Sequence, residues 1–125
     1  MSDAETLHII KQFITDYTTK TEYKINTPLY KGNLPIGNNI YSIVGVFFEN
    51  NPHALADSII ECTNTDIVLL INLQQKVALL RKNKTCGIDL GKLAKQLSIG
   101  GGKTDVAGCL LNEKIINLTK LLQPC

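Results

Sequence analysis

The chain has 125 residues, the size of one domain with a buried core, and its 44% hydrophobic content is ordinary for a globular protein. The formal net charge is only +2, and no run approaches the roughly 20 apolar residues of a membrane helix, so a transmembrane helix and a strongly polyionic chain are excluded. The four cysteines, Cys62, Cys86, Cys109 and Cys125, form no C-x-x-C pair, which excludes the usual zinc spacing.

The opening Met1-Ser2-Asp3-Ala4-Glu5 is acidic and lacks an apolar signal core, so the sequence predicts a cytoplasmic chain with reduced thiols. Cys62 and Cys109 are expected to pack as small apolar residues. From Glu5 to about Thr19, Leu7, Ile10, Phe13, Ile14 and Tyr17 recur at helical spacing and predict an amphipathic helix. His8 within it reads as an ordinary helix residue. Residues 21–39 are irregular, punctuated by Pro28, Gly32, Pro35, Gly37 and Asn38-Asn39, with one or two short edge strands expected.

Ile40 to Phe48 is a near-continuous apolar run and predicts a strand buried on both faces. Pro52 then suits the first turn of a helix whose stripe is Ala54, Leu55, Ile59 and Cys62. His53 is expected on its surface. Ile67 to Leu73 and Lys76 to Arg81 read as a hairpin. Leu90 to Leu97 reads as a helix, Val106 to Leu111 as a strand, and Glu113 to Leu122 as a helix capped by Asn112 and stopped by Pro124. From about residue 40 the order is β-α-β-β-α-β-α. It predicts an α/β (α+β) fold: a mixed sheet of four to five strands with helices packed on it, in which the first crossover joins parallel strands.

Charge is distributed unevenly along this order. Residues 1–80 carry five Lys/Arg against eight Asp/Glu, whereas residues 81–103 carry six (Arg81, Lys82, Lys84, Lys92, Lys95 and Lys103) against Asp89 alone. That segment ends in Gly100-Gly101-Gly102-Lys103, followed by the small residues Ala107 and Gly108. Consecutive glycines are costly in chain entropy, and their amides can form a concave nest for an anion. Basic residues beside such amides suit a phosphate-bearing ligand. A plain connection between helix and strand, with Lys92 and Lys95 on a solvated helix face, accounts for the same residues in structural terms.

The segment from Arg81 through Gly87-Ile88-Asp89-Leu90-Gly91-Lys92-Leu93-Ala94 to Gly100-Gly101-Gly102-Lys103-Thr104-Asp105-Val106-Ala107-Gly108 resembles the DHH-associated domain. That is the C-terminal substrate-binding domain of DHH-family phosphoesterases, which include exonucleases, oligoribonucleases and cyclic-dinucleotide phosphodiesterases. The resemblance covers roughly residues 40–111. It departs from the family's glycine-run motif in having Lys103 where a histidine stands and Val106 where a small residue stands. It implies a mixed-sheet substrate-binding domain over residues 40–125, with residues 1–20 as an interdomain connector. It also implies a phosphate site formed by Arg81, Gly100, Gly101, Gly102 and Lys103, supported by Lys82, Lys84, Ala107 and Gly108. The ligand implied is a nucleotide, a short oligonucleotide or single-stranded nucleic acid, and the partner is a DHH catalytic domain.

The D-H-D and D-H-H motifs of that family are missing, and His8 and His53 stand far apart in sequence without carboxylate pairs. No catalytic residue, metal ligand or cofactor is therefore expected in this chain, and Mn or Mg is expected only in a separate catalytic domain. Two function classes remain: a phosphate-binding module, and a structural or regulatory protein that keeps the fold for interaction or homodimerisation. Retention of Arg81 and of the glycine run with its cation favours the binding module.

Overall fold

A computed structural model describes residues 28–97 and 100–124. The predicted helix over residues 5–19, His8, the connector over residues 1–20 and Cys125 lie outside the described residues. Within them the order is β1 (Tyr30–Ile36), β2 (Asn39–Phe47), α1 (Pro52–Thr63), β3 (Ile67–Asn72), β4 (Val77–Lys82), α2 (Leu90–Leu97), β5 (Gly100–Gly102), β6 (Val106–Leu110), α3 (Glu113–Thr119) and β7 (Gln123–Pro124). The strands form one mixed sheet in the order β5-β6-β4-β3-β2-β1-β7. The α+β class and the mixed sheet are as the sequence predicts, but the described sheet has seven strands.

The additional strands have identifiable causes. β1 turns back onto β2 through Gly37 and Asn38, and Gly37 supplies the positive φ (59°) that a two-residue hairpin loop needs. β7 adds two residues beyond β1, and β5 is the glycine run itself. The last helix ends at Thr119, three residues short of the predicted Leu122, because the chain turns back to pair Gln123 with Lys31.

β2 and β3 are parallel, with Ile43 opposite Ile67 and Phe47 opposite Ile71, and α1 is their crossover. All six residues of β3 are buried, so this strand feeds both faces of the sheet. Val68 and Leu70 face α1, where Ala56 and Ile59 pack on them with Val44, Val46 and Phe48. Ile67, Leu69 and Ile71 face the other way, toward Leu90, Leu93 and Ala94 of α2 and Ile115 and Leu118 of α3. Side-chain alternation along one apolar strand thus builds a three-layer α/β/α arrangement. Each fully buried aliphatic side chain in these layers contributes about 1.5–3 kcal/mol relative to exposure.

The helix ends follow their sequences. Pro52 opens α1, and Asn64 closes it in the left-handed region, its N–H donating to the Ile60 carbonyl at 2.8 Å. Asp89 Oδ1 accepts from Lys92 N at 3.2 Å at the start of α2, and Asn112 Oδ1 accepts from Ile115 N at 3.1 Å at the start of α3. The start of β3 is pinned to β2 reciprocally: Ser42 N donates to Asp66 Oδ2 (2.9 Å), and Asp66 N donates to Ser42 Oγ (2.8 Å).

Candidate functional site

β4 carries Arg81 to the α1 face of the sheet. Its cross-strand partners are Val68 on β3 and Val106 on β6. Arg81 Nη2 donates to Asp57 Oδ1 at 2.9 Å, and Nη1 donates to His53 Nδ1 at 2.8 Å. His53 and Asp57 are four residues apart on α1, hence on one face of the helix. The histidine expected merely on the surface is exposed, but it also orients the guanidinium. Sequence reasoning missed this grouping. The i, i+4 spacing after Pro52 was its only local signal, and the partner Arg81 lies 28 residues beyond His53.

The glycine run was expected as a loop, and the structure corrects this: Gly100, Gly101 and Gly102 are strand β5 at the sheet edge, opposite Cys109, Gly108 and Ala107 respectively. The reason is close packing. A Cβ on Gly100 would stand 2.2 Å from the Gly108 carbonyl oxygen, and one on Gly102, at φ 150°, 2.5 Å from that of Val106. Only a strand without side chains can lie so close to β6 in that orientation. Gly101 differs, since its nearest neighbour would be the Lys95 side chain at 3.3 Å. An extended strand turns successive amides to opposite sides, so alternate glycine amides, not all three, face the open edge.

Lys103 stands at the tip of the β5–β6 hairpin, its backbone N donating to the Val106 carbonyl at 2.8 Å. Leu90 N donates to the Thr104 carbonyl at 3.0 Å, which ties this tip to the start of α2. Because Val106 is also the partner of Arg81, the hairpin tip and Arg81 share one end of the sheet. Arg81 and Gly102 are two strands apart, roughly 10 Å at ordinary strand spacing. Lys84 lies exposed in the turn after β4, also at this end. Lys82, one residue from Arg81, faces the opposite layer and donates its Nζ to the Ile88 carbonyl at 2.8 Å. Ala107 is buried, and Gly108 is half-buried, with the Leu79 side chain 3.0 Å from where its Cβ would be.

Cys62 departs from expectation. It is exposed on α1, whereas Cys86 and Cys109 are buried, and all three are free thiols. Cys109 faces the α2 layer, so the sheet separates it from Cys62. Burial pushes the Cys109 thiol up from its ordinary value.

A cavity of about 600 Å³ lies at the other end of the strand order, along β1, β2 and β7, with Lys31, Asn33, Ser42, Thr63, Thr65 and Gln123 in its lining. None of the expected site residues lines it. Among the described residues, no three His, Cys, Asp or Glu side chains are grouped as metal ligands, and no helix is long and apolar enough to cross a membrane.

No family model and no curated protein matches this chain. Among solved structures it is similar to an uncharacterized protein from Helicobacter pylori G27, with a TM-score of 0.55 and 14% identity, over 71% of this chain and 27% of that one. It is more loosely similar to PggH, a pGpG-specific phosphodiesterase from Vibrio cholerae, with a TM-score of 0.46 and 11% identity, over 91% of this chain and 38% of that one. The first likeness shows a shared fold. The second is too loose to bear on function. The chain therefore spans 27% and 38% of the lengths of these two proteins.

Proposed function

We propose that this chain is a binding module for a phosphate-bearing ligand, a nucleotide or a short single-stranded nucleic acid. It would act as the substrate-binding domain of a DHH-type phosphoesterase, as the resemblance in residues 81–108 implies. The observation that carries this reading is the position of Arg81. Its guanidinium lies on the sheet face, 23% exposed, level with the hairpin tip that bears Lys103. A guanidinium fork recognises a phosphate edge with two parallel bonds, Lys103 adds a point charge, and free-edge amides of β5 add uncharged donors. In this reading hydrolysis belongs to a DHH catalytic domain with its Mn or Mg, on the same chain or another.

A second reading keeps the fold as an interaction or dimerisation scaffold. It is favoured by Asp57, which already pairs with Arg81, and by the packing that requires Gly100 and Gly102. Titration of a labelled dinucleotide into the wild type and Arg81→Ala, at two salt concentrations, separates the two. Binding weakened about tenfold or more by the substitution supports the module, since one charge-assisted bond is worth roughly 1.5–3 kcal/mol. Equal affinity in both proteins supports the scaffold.

A further inference from the structure

α2 lies along the glycine strand in a fixed register. Gly91 faces the backbone of Gly102, and Lys95, one turn further on, covers Gly101. A Cβ on Gly100 or Gly102 would run into β6, but one on Gly101 would meet only Lys95, whose Cε and Cγ stand 3.3 and 3.9 Å away. Burial agrees: Gly101 is half-buried, while Gly100 and Gly102 on either side of it are exposed. The aliphatic stem of Lys95 therefore lies on the outer side of β5 and carries its ammonium at the open sheet edge.

Among the described residues that ammonium has neither a hydrogen bond nor an ion pair. The same holds for the side chains of Lys92, three residues before it, and of Lys103 at the hairpin tip, and all three lysines are exposed. Asp89, at the start of α2, accepts from Lys92 N rather than from an ammonium, and Asp105 at the tip pairs with none of the three. A lysine over an edge strand is a common guard against strand addition. One ammonium serves that purpose, so the cluster leaves positive charge that edge protection does not use.

We propose that Lys95, with Lys92 beside it, forms a second phosphate subsite, so that the ligand is a strand of several nucleotides rather than a single dinucleotide. This rests on the phosphate-binding reading of Arg81 and names the length of ligand that the site takes. Arg81 stands on the α1 side of the sheet, two strands and roughly 10 Å from β5, and Lys95 lies beyond that on the outer side of β5. The one internal phosphodiester of a dinucleotide reaches one of these cations, not both. A longer strand crosses β6 over the half-buried Val106 and Gly108, passes Lys103 at the tip and brings a later phosphate to Lys95. α1 packs on β3 and β4, so this path is open among the described residues.

The test is the affinity of fluorescein-labelled oligothymidylates of two and six nucleotides, read by anisotropy at several salt concentrations. The proteins are wild type, Lys95→Ala, Arg81→Ala and Lys31→Ala, the last removing an exposed lysine on β1, near the other end of the strand order. Alanine is a good helix former, so Lys95→Ala keeps α2. The wild type should prefer the hexanucleotide, and Lys95→Ala should cut that preference about two- to fivefold, the range of an exposed ion pair. The slope of log affinity against log salt for the hexanucleotide should fall by about 0.7, the value for one phosphate contact on a single strand. Lys31→Ala should keep the wild-type preference. A preference unchanged in Lys95→Ala overturns the second subsite and leaves Lys95 as a cover of the edge alone. An equal loss of preference in Lys31→Ala overturns it as an effect of net charge. In both cases a dinucleotide affinity weakened by Arg81→Ala leaves the phosphate site standing. Failure of the wild type to bind either probe, or no effect of Arg81→Ala on either, overturns the phosphate site and this inference together.

Discussion

Gly91 in the first turn of α2 lies directly against the backbone of Gly102 on the edge strand: a Cβ on Gly91 would stand 2.6 Å from the Gly102 carbonyl oxygen. Gly91 on the helix and Gly102 on the edge strand are therefore parts of one packing contact. The helix can come this close because Gly91 has no side chain, and Leu90 N donates to the Thr104 carbonyl beside it. The contact fixes where the hairpin tip, and Lys103 with it, stands relative to the sheet.

Alanine at Gly91 or Gly102 should accordingly destabilise the fold by about 1–3 kcal/mol, the usual range for overpacking, with added backbone strain at Gly102 where φ is 150°. Gly101→Ala meets only the flexible end of Lys95 and should stay within about 0.5 kcal/mol of the wild type. Urea denaturation of the three variants checks this. Equal losses at Gly101 and Gly102 would show that the run is uniformly constrained, against the geometry.

The sequence made the sheet legible where one physical signal dominated. Ile67 to Leu73 is apolar at nearly every position, and such a run has few fates other than a doubly buried strand. Asn112 before Glu113 announced a helix start, and its side chain does cap Ile115. The glycine run was misread because local propensity and tertiary packing disagree there. Three glycines are poor strand formers by themselves, and only the approach of β6 and α2 explains an extended conformation. The Arg81–His53–Asp57 grouping was invisible for a different reason. It depends on how α1 lies across the sheet relative to β4, which no spacing within one element encodes.

The thiols should sort by layer. Cys62 should react readily with iodoacetamide in the native protein, while Cys86 and Cys109, 7% and 6% exposed, should be protected until unfolding. Peptide mapping of partially labelled protein reads each site separately. Burial raises the Cys109 value above its ordinary 9.0, so the folded state holds that proton to higher pH than the unfolded chain. Its contribution to stability is fully present below the unfolded value and is lost as pH rises through the folded one. Stability should thus fall at alkaline pH, and Cys109→Ala should flatten that fall. An unchanged pH profile would contradict the assignment.

Ser42 and Asp66 bond to each other's backbone N–H across the first rungs of β2 and β3. Asp66→Ala removes the acceptor of Ser42 N, and Ser42→Ala removes that of Asp66 N. Each should cost about 1–3 kcal/mol in thermal or urea unfolding. The double variant should cost less than the sum, because the two bonds hold one junction. Full additivity would mean that the pair acts as two unrelated contacts.

Lys82 and Lys103 separate structural from ligand charge most sharply, because both belong to the basic segment that drew attention to the site. Lys82 faces away from Arg81 and donates to the Ile88 carbonyl on the α2 side. Lys82→Ala should therefore lower stability by about 0.5–1.5 kcal/mol and leave oligonucleotide affinity near the wild-type value. Lys103 forms only a backbone bond, to Val106, and its side chain makes no hydrogen bond or ion pair among the described residues. Lys103→Ala should leave stability within about 0.5 kcal/mol. It should weaken oligonucleotide binding and reduce the slope of log affinity against log salt by about 0.7, the value for one phosphate contact on a single strand. Unfolding curves and fluorescence anisotropy at several salt concentrations supply both readouts for both variants. If the two substitutions lower affinity equally and share one salt slope, binding follows net charge alone. The end of the sheet that holds Arg81 would then have no claim over any other basic surface of the chain.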